Sequence, residues 1–316
     1  MNFTTKISIS KSKNPIHYNS KIVLLGSCFS ENIGLKFDYF KFQNVVNPFG
    51  IIFNPIAIEN LIFRALLDQK FTEDDVFFHD GLWKCFEVHS DLNLASKERY
   101  ILNLNKILSD FRVQINQATH VIITFGTAWV YSDIPSKKVV ANCHKVVQNQ
   151  FDKQILSVEI IAKSIQNTVD LISKINPNCN VIFTVSPVRH LKDGFVGNTQ
   201  SKAYLFAGMH QIMKITVPNM SYFPSYEITM DELRDYRFYA DDMLHLNKIA
   251  IDFIWERFSE TYFSQETILI SNQIEALQKE LGHLPINTNS ESHLKFLAGL
   301  KLKISNFSNK YPTITF

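Results

Sequence analysis

The chain has 316 residues, 46% of them hydrophobic and 20% charged, which suits a chain that folds around a core and excludes a disordered one. Its 32 Lys and Arg against 30 Asp and Glu leave a net charge of +2, and the cations are scattered, which excludes phosphate-backbone binding as its organising function. The 26 Phe against 10 Gly point to packed apolar layers and away from glycine-rich phosphate loops.

From Phe3 to Ser8 polar and apolar residues alternate, with no basic start before an apolar run, so no secretory leader is expected. No apolar run is long enough to span a membrane. Lys21-Ile22-Val23-Leu24-Leu25, closed by Gly26, has the pattern of a buried parallel strand. Ile33, Phe37 and Phe40 follow at helical spacing, predicting an amphipathic helix from about Ser30 to Lys41. The stretch from Phe71 to Ser96, with Glu73-Asp74-Asp75, His79 and His89, reads as an inserted hairpin or irregular segment. A helix over Ile101–Ile115 precedes a second strand, Val121-Ile122-Ile123-Thr124-Phe125, again closed by a glycine, Gly126. A helix over Val158–Ile175 leads to a third strand, Asn180 to Val185, closed by Ser186-Pro187.

Strands alternating with helices predict right-handed βαβ units and an α/β fold: a three-layer α/β/α sandwich with a mostly parallel sheet. In such sheets ligands bind beyond the carboxyl ends of the strands. After Phe263 the composition turns to Glu, Gln, Lys and Asn, with helical stretches near Gln265–Leu281 and Ser290–Ser305. Each is too weakly apolar to make its own core. The expected organisation is therefore residues 1–262 as the main domain and 263–316 as a helical extension packing on it.

Two segments carry candidate chemistry. In Gly26-Ser27-Cys28-Phe29-Ser30, between strand and helix, the turn presents its side chains at the sheet edge, beside the positive end of the next helix. That position is expected to favour a Cys28 thiolate. The competing reading makes Ser27 or Ser30 a helix cap and Cys28 a small filler. The second segment is Asp242-Met243-Leu244-His245, whose spacing allows the carboxylate to hold the imidazole Nδ1 and leave Nε2 to take a proton. Here the competing reading is capping of the following helix by Asp241 or Asp242.

Taken together, the chain resembles the SGNH (GDSL-type) hydrolases and, more narrowly, the GSCFA family, whose N-terminal motif corresponds to Gly26-Ser27-Cys28-Phe29-Ser30. Asn47-Pro48-Phe49-Gly50, Phe125-Gly126-Thr127-Ala128-Trp129, Asn142-Cys143-His144-Lys145 and Ser186-Pro187-Val188-Arg189-His190 are similar to that family in the same order. The resemblance implies that Cys28, or its neighbour Ser27, is the nucleophile, that Asp242 orients the base His245, and that Gly50 and Gly126 belong to the oxyanion and substrate site. Ala128 stands where these enzymes have an oxyanion-binding Asn, so Thr127 or Asn142 is the expected substitute. Arg189 and His190 are expected to line the pocket. The implied activity is hydrolysis of an acyl or acetyl ester on a small molecule or carbohydrate. Transfer of an acyl group from a thioester to a sugar hydroxyl is one alternative, and an inactive binding protein with this fold is another.

Cys28, Cys85, Cys143 and Cys179 lie far apart, which argues against a disulfide framework or zinc site and for free thiols in the cytoplasm. No cofactor or metal is called for. Trp83 and Trp129 are expected as core aromatics rather than sugar platforms.

Overall fold

The computed structural model describes residues 5–214, 219–283 and 285–316. Strand β1 (Lys21–Gly26) runs into α1 (Cys28–Tyr39), followed by β2 (Gln43–Val46) and α2 (Pro55–Leu66). A hairpin, β3 (Phe77–His79) and β4 (Leu82–Lys84), precedes α3 (Lys97–Gln117) and β5 (His120–Phe125). Next come β6 (Trp129–Asp133), β7 (Val139–Val140) and β8 (Phe151–Ile155), then α4 (Val158–Ile175), β9 (Asn180–Val185) and α5 (Gly194–Met213). The chain closes with β10 (Met220–Phe223), the short α6 (Ser225–Glu227) continued by a π-helical turn (Ile228–Leu233), α7 (Lys248–Tyr262), α8 (Gln265–Leu281) and α9 (Glu291–Lys310).

The main sheet has the order β10-β9-β5-β1-β2, with every pairing parallel. β1 and β5 are adjacent although α1, β2, α2 and α3 intervene. The chain therefore reverses direction of winding between them, and a crevice opens above their carboxyl ends.

The alternation of side chains along each strand builds the three layers. Val23, Leu25, Val121, Ile123, Phe125, Val181 and Phe183 point to one side, into a core shared with α2, α3, α4 and α5. Ile22, Leu24, Ile122 and Ile182 point to the other, where α1, α7, α8 and α9 cover them. Both faces are buried, so these strands read as continuous apolar runs with no visible alternation. Helices α8 and α9 contribute Ile270, Ile274, Leu300 and Phe307 to the second core.

The strand expectations hold closely, and α4 and α8 have the expected bounds. α1 differs. It begins at Cys28, two residues before the periodicity implies, because Ser27 caps it. The segment 71–96 is irregular around the β3–β4 hairpin, as expected. The antiparallel sheet β7-β6-β8 is an addition that apolar periodicity missed, since its strands are short and β6 and β8 mix polar with apolar residues.

Candidate active site

At the end of β1 the chain turns sharply at Gly26, whose φ of 134° is barred to other residues and where a Cβ would lie 2.2 Å from the Thr124 carbonyl oxygen. The loop after β2 holds the turn: Asn47 Oδ1 accepts from Gly26 N at 2.8 Å, and Ile52 N donates to Gly26 O at 3.1 Å. Ser27 is 2% exposed and its Oγ accepts from Phe29 N at 3.2 Å, so it is the cap of α1. Ser30 Oγ is turned inward, donating to Leu25 O at 3.0 Å. Cys28 is therefore the partly exposed side chain of this trio, at the first position of α1.

The expected thiolate is not favoured at rest. Burial pushes the Cys28 thiol above its ordinary value and Glu31 adds to the rise, outweighing the Phe29 and Cys28 backbone N–H groups and the charge of Lys202, which pull it down. A helix N-terminus lends only part of a charge, and partial removal from water costs the thiolate more. A nucleophilic role for this thiol would therefore call for a base.

The expected base, His245, is held in place. His245 Nδ1 lies 2.6 Å from Asp242 Oδ2, while Asp242 Oδ1 accepts from Leu244 N and His245 N, both at 2.9 Å. With both oxygens engaged, first by the His245 side chain, the Asp242 carboxyl drops to about 2. Met243 takes a positive φ of 58° to close the turn, and Tyr239 and Leu246 bridge across its base. Asn247 Oδ1, accepting from Ala250 N at 3.1 Å, caps α7. Neither Asp241 nor Asp242 does that work, which leaves Asp242 committed to the imidazole.

α1 and α7 bring the two segments to one end of the molecule. Asn32 and Leu246 line one cleft, Lys36 pairs with Asp252, and Phe37 and Phe40 pack on Trp255. Phe37, near the end of α1, also packs on Phe258 and on Phe263 just past α7, so the carboxyl ends of the two helices lie together and the helices run parallel. Their N-terminal ends, carrying Cys28 and His245, therefore lie at the same end. Among the described residues His245 and Cys28 make no hydrogen bond to each other, and His245 Nε2 makes none to the protein.

The family model for the GSCFA family matches residues 21–258, and that for the GSCFA domain protein C-terminal domain matches 274–316. The chain belongs to the GSCFA family. No curated protein matches this GSCFA chain by sequence. Among solved structures, an acetyl xylan esterase from the rumen bacterium Butyrivibrio proteoclasticus is similar at 10% identity and a TM-score of 0.40, over 85% of this chain. The match spans 66% of that esterase, just under two thirds of its length.

In this GSCFA protein the two expected backbone donors, Gly50 and Gly126, are occupied. Gly50 N donates to Asn47 O at 2.7 Å and Gly126 N to Phe53 O at 2.8 Å. Gly50 is glycine for backbone reasons: its φ is 77°, and a Cβ would sit 2.3 Å from His89 Cβ. Thr127 Oγ1 pairs with Ser201 Oγ at 2.9 Å and accepts from Trp129 N at 3.1 Å. Asn142 Oδ1 closes its own turn by accepting from His144 N at 2.8 Å, while its amide nitrogen has no partner among the described residues. Ala128 is 0% exposed, packed below the site. The Cys28 N–H has no protein acceptor among the described residues.

Sequence reasoning missed Asn54. Residues Ile52 and Phe53 bond to Gly26 and Gly126, so this loop crosses the carboxyl ends of β1 and β5. Asn54 Oδ1 caps α2 by accepting from Ala57 N at 2.8 Å, and its amide nitrogen has no partner among the described residues. The signal present in sequence, Asn before Pro at a helix start, reads only as a cap.

Arg189 and His190 stand beyond β9. Arg189 Nη1 donates to Tyr239 OH at 3.1 Å, which ties it to the loop carrying His245. Its guanidinium pairs with no carboxylate among the described residues. His190 packs on Phe53 at a ring distance of 4.9 Å, and burial followed by the Lys202 charge lowers it to about 4, so it is neutral at pH 7. Lys202, also missed, is 1% exposed on α5 and donates to Gly126 O at 2.6 Å and Ser186 O at 2.7 Å. Away from this edge, the His144 ring Nε2 lies 2.7 Å from Cys85 O, inside the fold. Trp129 is half-buried, donating from its indole to Gly197 O at 3.1 Å.

Proposed function

We propose that this chain is an acyl-ester hydrolase that works through a thioester on Cys28, with a small-molecule or carbohydrate-linked ester as substrate. The observation that carries this reading is the Asp242–His245 pair, fixed through Nδ1 with Nε2 open, at the same end of the helix pair as a partly exposed Cys28.

His245 Nε2 takes the thiol proton as Sγ bonds to the ester carbonyl carbon. The oxyanion is met by the Cys28 N–H, with the Asn54 amide as the second donor in place of the side chain that Ala128 lacks. The carbon–oxygen bond to the alcohol then breaks, and that oxygen leaves with the proton held on His245. Water, deprotonated by His245, attacks the thioester; the carbon–sulfur bond breaks, and Sγ recovers its proton. Arg189, which pairs with no carboxylate among the described residues, favours a substrate bearing negative charge.

A thioester is also a competent donor to a hydroxyl. The thiol at position 28 therefore favours acyl transfer to a sugar as the second reading, differing only in what replaces water. The division into a catalytic part, residues 1–262, and a packing extension, 263–316, belongs to the same proposal, as does a reducing, cytoplasmic setting for the four unpaired cysteines. Among the described residues no helix is long and apolar enough to cross a membrane.

The test is incubation with chromogenic acetyl esters and acetyl thioesters, followed by peptide mass spectrometry. An acetyl mass increment on the Cys28 peptide that decays with turnover is expected. Turnover without any acylated peptide would reject the covalent route, and no reaction with any ester or thioester would reject the activity.

A further inference from the structure

Beyond β5 the chain leaves one side-chain place empty, and a ring from another segment fills it. Thr124 faces α1, where its Oγ1 accepts from Ser30 Oγ at 2.8 Å. Side chains alternate along a strand, so Gly126, two residues on, points the same way. A Cβ at Gly126 would lie 3.1 Å from His190 Nε2 and 3.0 Å from Phe53 Cβ. The imidazole therefore stands over the end of β5, on the face where α1 begins. Gly26 pairs with Thr124 across β1 and β5, and Ser27 N donates to Thr124 O at 3.2 Å. Cys28 and Gly126 are each two residues past that pair. The His190 ring and the Cys28 backbone N–H thus occupy neighbouring strand ends.

His190 is held from several sides. Its backbone N donates to Asn198 Oδ1, on α5, at 3.0 Å, and its ring rests on Phe53 at a centroid distance of 4.9 Å. The preceding residue, Arg189, donates to Tyr239 OH at 3.1 Å. Packing fixes the half-buried ring, yet among the described residues neither ring nitrogen has a hydrogen-bond partner in the protein. Polar atoms in a fixed side chain ordinarily find one, and an open nitrogen at a strand end points to a ligand. Burial, then the Lys202 charge, keeps the imidazole neutral at pH 7. A neutral ring has one N–H to donate. Asn54 follows Phe53 directly, so its amide and the His190 ring flank the same spot.

We propose that His190 is a third oxyanion donor, its ring N–H completing the set made by the Cys28 N–H and the Asn54 amide. This rests on the reading of Cys28 as the attacking group, not on which ester is the substrate. As Sγ bonds to the carbonyl carbon, the thiol proton passes to His245 Nε2. The carbonyl π pair moves onto oxygen, and that oxygen accepts from His190. A neutral imidazole suits the task, since it stabilises a developing anion without burying a cation of its own.

The probe is trifluoroacetone, whose adduct with Cys28 Sγ carries an oxyanion and has no leaving group. Its binding is read as protection of the Cys28 peptide from iodoacetamide in the native chain, H190F and H190Q, each scaled to its own alkylation rate. H190F keeps an aromatic ring on Phe53 and removes the N–H. It is expected to need about a hundredfold more ketone for the same protection. H190Q keeps an N–H and is expected to fall between the two. A folded H190F protected like the native chain, or an H190Q as impaired as H190F, would overturn the proposal. If H190F does not melt cooperatively, NMR of the native chain with isotopically labelled histidine replaces it. The His190 N–H signal, assigned by its loss in H190Q, then moves downfield on adduct formation, and an unmoved signal refutes the role. A native chain that the ketone does not protect would refute Cys28 as the attacking group and this role with it. The adduct needs no ester turnover. Protection that depends on His190 in a chain inert to every ester would refute the esterase reading and leave His190 in place. Ester turnover that H190F leaves untouched would do the reverse.

Discussion

Replacing Ser27 and Cys28 separately distinguishes a cap from a nucleophile, and the structure sets different magnitudes for the two. Ser27 Oγ accepts from Phe29 N at 3.2 Å and the residue is 2% exposed, so Ser27→Ala removes a helix cap and little else. Losing such a cap costs about 1 kcal/mol. With an unfolding entropy of about 2 cal/mol/K per residue spread over 316 residues, that cost lowers Tm by about 2 °C. Turnover in Ser27→Ala should stay within about threefold of native, because α1 is held along its length by Phe29, Ile33 and Phe37 in the core. Cys28→Ala removes a partly exposed side chain and no cap, so Tm should change by about 1 °C or less, while turnover and iodoacetamide labelling of that peptide are lost. Cys28→Ser should retain weak activity, since a hydroxyl depends more fully on His245. The assay pairs ester turnover with thermal melts followed by circular dichroism. An inactive Ser27→Ala with native stability, beside a fully active Cys28→Ala, would reverse the assignment and refute the reasoning.

Asp242→Asn should fold normally and melt slightly lower than the native protein but lose turnover by orders of magnitude, because an amide can hold the wrong imidazole tautomer; native turnover in that variant would show Asp242 to be a turn residue only. The Asp242 carboxyl is lowered from its ordinary 3.8 to about 2, so the stability it contributes is complete above about pH 4 and disappears as pH falls through about 2, which chemical denaturation across that range would follow. Asn54→Ser keeps an oxygen to cap α2 but removes the amide donor, and kcat is expected to fall about a hundredfold with KM little changed; unchanged kcat would remove Asn54 from the oxyanion site. His144 is 2% exposed and is lowered by burial to about 4, so its stability is complete above the unfolded value near 6.5 and is lost as pH falls toward 4. A shift of about 2.5 units corresponds to roughly 3 kcal/mol; the denaturation midpoint should fall over that range in the native protein and less in His144→Gln, and equal pH dependence in both would refute this.

Local chemistry made much of the fold legible in the chain. Apolar runs closed by Gly26, Gly126 and Ser186-Pro187 marked the three central strands, and helical periodicity marked α4 and α8, because burial of such runs depends on their own composition. The Asp-x-x-His spacing was legible for the same reason: a carboxylate and an imidazole that close one turn need only neighbours in sequence to meet. The order β10-β9-β5-β1-β2, the parallel packing of α1 on α7 and the crossing of Ile52 and Phe53 over two strand ends join residues far apart in the chain, so only the tertiary structure decided them. The same holds for hydrogen-bond allocation. Gly50 and Gly126 look like donors in a motif, but whether an N–H is open depends on which carbonyl the fold places before it, here Asn47 and Phe53. Lys202 was illegible because a lysine on a helix is ordinarily solvated. What makes it part of the site is burial against Gly126 and Ser186, and burial is a property of the packed layers, not of the residue.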